Sequence, residues 1–146
     1  MRLGVKSSTM SDAYLLDTCV VIWMTKSEPL STLALAALAR GRRPGGVYVS
    51  TVTAWEMAML LAHGRIRETR DAKRWYDDFK HEAELDEQPV TANIFITSCA
   101  LPQPVHKDPI DRILIATARE HDLTIITRDR AILAYGAAGH VKTLAC

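Results

Sequence analysis

The sequence predicts an α/β domain built on a mainly parallel sheet. Short apolar or β-branched runs alternate with helical segments along the chain, a pattern typical of parallel sheets with helices on both faces. The first run, Ala13–Asp17, is continuously apolar up to its final acid, which indicates a strand buried on both faces. We therefore expect residues 12–146 to form a single domain, and residues 1–11, which are polar and patternless, to be a disordered lead-in.

Two predicted helices follow the first strand. Thr18–Lys26 has Asp17 or Thr18 at its N-cap, where Asp and Thr are preferred. Pro29 ends this helix, because proline cannot continue the hydrogen-bond ladder. Ser31–Ala39 is rich in Ala and Leu and begins with a serine cap, which together indicate the second helix.

A loop rich in Gly, Pro and Arg, Gly41–Gly46, leads to the second predicted strand, Val47–Ser50. Thr53–Ala62 is the third helix, and Gly64 suits the position just beyond its end. Asp71–Glu84 is the fourth helix.

The second half of the chain continues the alternation. Gln88–Val90 is predicted as a short edge strand and Thr91–Ala100 as the fifth helix. Asp108 followed by Pro109 is the expected start signal for a sixth helix that runs to about His121. The last elements are a β-branched strand, a short helix and a final strand, at Leu123–Thr127, Asp129–Gly136 and Val141–Leu144.

Composition excludes several classes of protein. The 18 basic and 17 acidic residues nearly balance, so net charge alone does not indicate a nucleic-acid partner. Cys19, Cys99 and Cys146 are far apart and form no CxxC pair, which favours a reduced cytoplasmic protein without a disulfide framework or zinc knuckle. No apolar run approaches the roughly 18 residues of a membrane span, so we expect no membrane association.

Four carboxylates occupy positions where a site is expected. Asp17 ends the first strand, Asp129 follows the late strand, and Asp111 lies in the first turn of the sixth helix. Glu56 follows the second strand and interrupts an apolar stretch. The carboxyl ends of parallel strands share one edge, where these side chains can converge. Converging carboxylates repel one another unless a divalent cation binds them, and oxygen ligands favour Mg²⁺, Mn²⁺ or Ca²⁺ over zinc.

Each acid also has a purely structural explanation. Asp17, Asp108 and Asp129 all stand where a helix N-cap is wanted. Asp111 suits the positive end of a helix dipole, and Glu56 can lie on a solvated stripe of its helix. We favour Asp111 as a ligand, and Asp108 as a cap that lies just outside the ligands.

Four motifs in order resemble the PIN-domain family, and within it the VapC-type toxins of bacterial toxin–antitoxin pairs. They span nearly the whole chain from Ala13 to Leu144 and are Leu15–Thr18, Ser50–Glu56, His106–Ala116 and Thr127–Asp129. The chain departs from the pattern at Cys19, where His or another residue is common, and residues 64–87 carry little family signal.

The resemblance implies a three-layer α/β/α fold and an Mg²⁺- or Mn²⁺-dependent endoribonuclease that acts through metal-activated water. It implies that Asp17, Glu56, Asp111 and Asp129 form the acidic site. We assign Asp17 and Asp111 as direct ligands, and Glu56 and Asp129 as ligands through water or to a second ion. A homodimer and an antitoxin partner that occupies the RNA groove are also implied.

Other residues are candidates for contacts around the site. Thr18, Thr127 and Arg128 adjoin the acids and can contact a phosphate or fix the loops. A basic stretch is a candidate for RNA binding or a solvated helix face, and its members are Arg65, Arg67, Lys73 and Arg74. We expect Trp55 and Trp75 to be core residues rather than platforms for base stacking, and His106 to be packed or solvated rather than in contact with substrate.

Two alternatives remain at this point. A receiver-like or haloacid-dehalogenase-like domain also places an Asp after the first strand, but the latter needs a second Asp where Cys19 stands. A non-catalytic RNA- or protein-binding module on the same fold would be favoured by loss of an acid, and none of the four is missing.

Overall fold

The computed structural model describes residues 12–146, so the predicted lead-in at residues 1–11 lies outside the described part. The strands are β1 Tyr14–Leu16, β2 Val47–Ser50, β3 Asp86–Gln88, β4 Thr124–Thr127 and β5 Lys142–Ala145. The helices are α1 Thr18–Thr25, α2 Thr32–Arg40, α3 Thr51–Ala62, α4 Ala72–Glu82, α5 Ala92–Ser98, α6 Pro109–His121 and α7 Arg130–Ala137. Across this part of the chain, no helix is long and apolar enough to cross a bilayer.

All five strands pair in parallel, in the order β3-β2-β1-β4-β5. The predicted parallel sheet is therefore confirmed, with β1 at its centre. Consecutive residues of the central strands point into different cores. Leu15 and Ile125 pack with α5, α6 and α7, whereas Leu16 and Ile126 pack with α1, α2 and α4. Both faces of the sheet are thus covered, which explains why these strands are continuously apolar.

The prediction was least accurate at the third strand. We expected Gln88–Val90, but β3 spans Asp86–Gln88 and pairs with Tyr48, Val49 and Ser50 of β2. Its residues are polar because it lies at the sheet edge, so a search for apolar runs misses it. The predicted edge position is correct, and Pro89 follows the strand because it has no N–H to donate.

Helix ends differ from the prediction for local reasons. α3 begins at Thr51 rather than Thr53, because the Ser50 side chain accepts a hydrogen bond from the Val52 N–H. α4 ends at Glu82, two residues before the predicted end, and Glu84 adopts a positive φ of 55° that is incompatible with a continuing helix.

The carboxyl edge of the sheet is where several helices begin. α1 follows β1 directly after Asp17, α3 follows β2 without a gap, and α7 begins shortly after β4. Because the strands are parallel, these helix N-termini lie on the same edge. The candidate residues at Asp17, Glu56 and Asp129 are therefore brought together by topology.

Gly136 allows α7 to pack closely on β5. A Cβ atom at this position would lie 2.5 Å from Thr143 Oγ1 and 2.7 Å from Thr143 Cγ2. We expect Gly136→Ala to lower the free energy of unfolding by about 1–2 kcal/mol, because overpacking outweighs the better helix propensity of alanine. Urea unfolding measures this loss.

The matched control removes the side chain that the new methyl group would meet. Thr143→Ala in the Gly136→Ala background should recover most of the lost stability, so the two changes should be strongly non-additive. An equal loss with and without the Thr143 side chain would contradict the close-packing explanation.

Candidate active site

Asp17 occupies the N-cap position of α1 but does not act as a cap, because its side chain accepts no capping hydrogen bond. Its Oδ2 atom instead accepts hydrogen bonds from the Thr127 hydroxyl at 2.6 Å and the Cys19 thiol at 3.3 Å. The side chain is almost fully buried. The cap interpretation therefore does not account for Asp17, whose carboxylate is fixed from β4 and from the first turn of α1.

Thr127 connects the two central strands at their carboxyl ends. Besides donating to Asp17, its hydroxyl oxygen accepts the backbone N–H of Asp129 at 2.9 Å. Thr127 is completely buried. Of the two roles considered from the sequence, this placement corresponds to fixing the loop, since the hydroxyl already holds Asp17 and orients the chain at Asp129.

Glu56 faces the other acids. The hydroxyls of Thr18 and Thr53 lie 2.9 Å apart and join α1 to α3 in the buried interior. Burial is the main cause that raises the pKa of Glu56, and the charges of Asp17 and Asp108 add to the rise, while a hydrogen bond with Thr18 opposes it. Glu56 is half-buried and lies close to Thr18 and to the other acids.

The N-termini of α6 and α7 add the remaining acids. Asp108 caps α6 by accepting the Ile110 N–H at 2.9 Å, so its cap interpretation holds. Asp129 caps α7 with Oδ1, which accepts the Ile132 N–H at 3.0 Å, and its Oδ2 is turned toward His106.

His106 lies within this group. Its Nε2 atom is 3.0 Å from Asp111 Oδ2 and 3.4 Å from Asp129 Oδ2. One ligand atom each from His106, Asp111 and Asp129 lie within 4.8 Å of one another, which is close enough to hold one ion. Our expectation that His106 is merely packed or solvated was wrong. Its place just before the α6 cap was the only sequence signal.

The raised pKa values indicate that the four acids lie close enough for their negative charges to affect one another. Burial raises the pKa of Asp111 to about 8, helped by the charges of Asp17, Asp108, Asp129 and Glu56. Burial also raises the pKa of Asp17, with a smaller contribution from the charge of Asp129. The structure thus brings Asp17, Glu56, Asp111 and Asp129 into one crowded pocket.

The pocket has the chemistry of a divalent-cation site. Within residues 12–146, no lysine or arginine forms an ion pair with any of the four acids. Converging carboxylate oxygens that no lysine or arginine neutralises suit a hard cation such as Mg²⁺ or Mn²⁺. The compact three-residue group contains Asp111 and Asp129 but not Asp17, whereas the sequence interpretation paired Asp17 with Asp111.

Arg128 points away from the acids. Its guanidinium lies over the Trp23 ring at 3.9 Å and donates hydrogen bonds to the carbonyls of Pro29 and Cys146. Arg128 therefore anchors the end of the chain to the loop after α1.

The basic stretch lies toward the far ends of the helices that start at the acids. Lys26, which follows α1, donates to the carbonyl of Arg67. An eight-residue α1 spans about 12 Å, so this contact lies about that far from the pocket. Lys73 and Arg74 are exposed and form ion pairs with Asp77 and Asp78, at 2.7 and 3.8 Å, whereas Arg65 and Arg67 are exposed without an ion pair among the described residues.

The two tryptophans predicted to lie in the core, Trp55 and Trp75, differ in burial. Trp75 is completely buried, as predicted. Trp55 is 56% exposed, so its prediction as a core residue was wrong. The buried residues of α3 are Val52, Thr53 and Met57, and Trp55 lies on the opposite side of the helix.

Residues 14–137 match the family model of the PIN domain. The chain belongs to the PIN-domain family. This PIN domain is 29% identical to Ribonuclease VapC22 of Mycobacterium tuberculosis over 118 residues, which are 81% of this chain and 88% of that protein. The predicted resemblance to PIN domains, and to VapC proteins among them, is confirmed.

Solved structures share the fold. One is a crystal structure of VapBC2 from Rickettsia felis bound to a DNA fragment from their promoter, with a TM-score of 0.67, 13% identity, and coverage of 91% of this chain and 98% of that chain. Another is a toxin–antitoxin complex from Klebsiella pneumoniae, with a TM-score of 0.58, 23% identity, and coverage of 82% and 90%. These likenesses support the three-layer fold of this PIN domain.

The Thr127 hydroxyl is predicted to control cation affinity. Thr127→Val keeps the shape of the side chain but removes the donor to Asp17 and the acceptor for the Asp129 N–H. We expect Mn²⁺ affinity to fall about 10–100-fold, the usual effect of losing a hydrogen bond to a metal ligand. Titration followed by Mn²⁺ electron paramagnetic resonance measures it.

Thr117→Val is the matched control, because Thr117 is equally buried and its hydroxyl bonds only the Ile113 carbonyl within α6. This variant should keep wild-type Mn²⁺ affinity. Wild-type affinity in Thr127→Val would show that the hydroxyl does not position the acids.

Stability without metal should depend on pH in a specific direction. Asp111 keeps its proton up to about pH 8 in the folded protein, whereas its ordinary pKa of 3.8 applies to the unfolded chain. The folded state therefore binds more protons between these values, so the free energy of unfolding falls as pH rises from 3.8 to about 8. Thermal denaturation in EDTA at several pH values measures this fall.

Two variants and the addition of Mn²⁺ test whether Asp111 causes this pH dependence of stability. Asp111→Asn should flatten the pH dependence, while Asp122→Asn, at the opposite end of α6, should leave it unchanged. Added Mn²⁺ should restore stability most strongly at high pH. A stability that rises with pH throughout this range in EDTA would contradict the crowding of the acids.

Proposed function

We propose that this PIN domain is an Mg²⁺- or Mn²⁺-dependent endoribonuclease and the toxin of a toxin–antitoxin pair. The observation that carries the proposal is the convergence of four acids in one partly buried pocket at the carboxyl edge of the sheet, where none of them pairs with a lysine or arginine of residues 12–146. The 29% identity to a protein named as a ribonuclease supports RNA as the substrate. A complete acid set also weighs against the non-catalytic alternative.

The acids divide into ligands and supporting groups. Asp17 and Asp111 are the proposed direct ligands, and Glu56 and Asp129 act through water or on a second ion. Asp129 already uses Oδ1 to cap α7, so only Oδ2 is directed into the pocket. Bound Mg²⁺ or Mn²⁺ supplies a Lewis acid for a phosphate oxygen and a water of lowered pKa.

The protein itself contributes orientation. Thr127 and Cys19 hold the carboxylate of Asp17 by donating hydrogen bonds to it. Burial and the nearby Asp17 raise the pKa of the Cys19 thiol, so the thiol remains a donor. Glu56 lies close to Thr18 in the same pocket. Fixed carboxylates place an attacking water and a phosphate without reorganisation during the reaction.

We propose partners from the names of the similar proteins. The solved structures that share the fold include a toxin–antitoxin complex. We infer a cognate antitoxin that covers the RNA groove, a homodimer, a cytoplasmic location and a single nuclease domain over residues 12–146. Arg65 and Arg67 are the candidates for contacts with a flanking stretch of RNA, because Lys73 and Arg74 are already paired with acids.

Asp17→Asn tests the nuclease. We expect RNA cleavage with Mg²⁺ or Mn²⁺ to fall at least about 100-fold, because the amide removes the negative charge of a proposed ligand. The fold should persist, since an amide oxygen can still accept the Thr127 hydrogen bond, and circular dichroism checks this. Asp122→Asn, on the exposed end of α6, should cleave RNA at the wild-type rate.

Cleavage that is unchanged in Asp17→Asn would remove Asp17 from the mechanism. The same pair of chains tests the toxin role. Expression of the wild-type chain alone should stop bacterial growth, and expression of Asp17→Asn should not. A wild-type chain that cleaves RNA but leaves growth unaffected would count against the toxin role and not against the nuclease.

A further inference from the structure

His106 is held on every polar side. Its Nδ1 atom accepts the backbone N–H of Asp108 at 3.0 Å, and its Nε2 atom faces Asp111 and Asp129 at 3.0 and 3.4 Å. The guanidinium of Arg112 donates to the His106 carbonyl at 2.6 Å, which fixes the backbone. The side chain is 18% exposed. A ring that is merely packed does not explain this set of directed contacts.

These contacts assign the tautomer of the neutral ring. A backbone N–H can only donate, so Nδ1 must carry a lone pair toward Asp108. The ring proton of the neutral imidazole is then on Nε2. Nε2 forms a hydrogen bond with Asp129 Oδ2 at 3.4 Å, and Asp111 Oδ2 lies 3.0 Å from the same nitrogen. His106 is therefore a donor to Asp129 and a close polar neighbour of Asp111, and these two acids belong to different helices.

The alternative role as a nitrogen ligand conflicts with the same contacts. Nε2 can bind a metal only after its proton has moved to Nδ1, where it would face the Asp108 N–H. Two donors would then oppose each other, and the backbone N–H would lose its partner, which is unfavourable. The arrangement favours hydrogen bonding to the ligands over direct coordination.

We propose that His106 is a positioning residue that joins the N-termini of α6 and α7 and sets the separation of Asp111 and Asp129 for cation binding. The proposal rests on the proposed function of this site. Each carboxylate oxygen has two lone pairs, so a bond from Nε2 leaves one for an ion. Without His106, two mutually repelling acids on separate helices have no common donor to hold them together.

Three substitutions of His106 test the contacts of Nδ1 and of Nε2 separately. His106→Ala removes both contacts and should weaken Mn²⁺ binding about 10–100-fold. His106→Gln places an amide donor near the position of Nε2 and should restore most of the affinity. His106→Asn places its amide oxygen near Nδ1, where it can support Asp108 but cannot reach the acids, so it should bind Mn²⁺ as weakly as alanine.

Mn²⁺ titration by electron paramagnetic resonance is the readout, with the full chain and without RNA. His140→Ala is the control, because His140 stacks on Tyr135 outside the acids, and it should bind Mn²⁺ like the wild type. Rescue by asparagine and not by glutamine would mean that His106 only supports the loop, which overturns the proposal. Equal or tighter Mn²⁺ binding by His106→Ala would also overturn it.

A metal-free measurement tests the tautomer directly. Long-range ¹H–¹⁵N spectra of ¹⁵N-histidine-labelled protein, recorded in EDTA above pH 8 where Asp111 is ionised, should place the proton of the neutral His106 ring on Nε2, and a proton on Nδ1 would overturn the assignment. Because neither Mn²⁺ binding nor the tautomer requires RNA, a wild-type chain that binds Mn²⁺ but cleaves no RNA would contradict the proposed nuclease alone.

Discussion

The parallel pairing of β1, β2 and β4 places their carboxyl ends on one edge, where α1, α3 and α7 begin. Helix N-termini favour anions, but by only about 0.3–2 kcal/mol each. Against this, the pKa of Asp111 rises from 3.8 to about 8, a change that corresponds to several kcal/mol. Burial and mutual repulsion therefore outweigh the helix dipoles, and the folded protein holds its acids in an unfavourable state that a bound cation would relieve.

The same edge explains why caps and site residues are hard to separate in a sequence. Asp108 is a cap, Asp129 caps with one oxygen and faces the pocket with the other, and Asp17 stands at a cap position without capping. All three have the same local signature, an acid just before a helix. Only the three-dimensional partner distinguishes them, and for Asp17 that partner is Thr127, which lies 110 residues away along the chain.

The parts that the sequence predicted are those governed by strong local rules. The continuous apolar runs predicted the parallel sheet and the central position of β1. The ends of these runs predicted where the acids lie. The edge strand β3 was misplaced because Asp86 and Glu87 carry no apolar signal. Trp55 was wrongly assigned to the core because an apolar stretch does not tell which face of a helix is buried. His106 was missed because its orientation depends on the backbone at Asp108.

The pocket is organised by hydroxyl, thiol and imidazole donors rather than by lysine or arginine. Thr127 and Cys19 fix Asp17, and His106 in its assigned tautomer connects Asp111 with Asp129. A lysine or arginine in these places would orient the carboxylates equally well, but it would also neutralise them and compete with a cation for their charge. A hydroxyl and a thiol give direction without that neutralisation. The basic side chains instead lie elsewhere: Arg128 stacks on Trp23, and Lys73 and Arg74 pair with acids on α4. The pocket thus combines carboxylates of fixed geometry with negative charge that no lysine or arginine compensates. Binding a small divalent cation requires this combination.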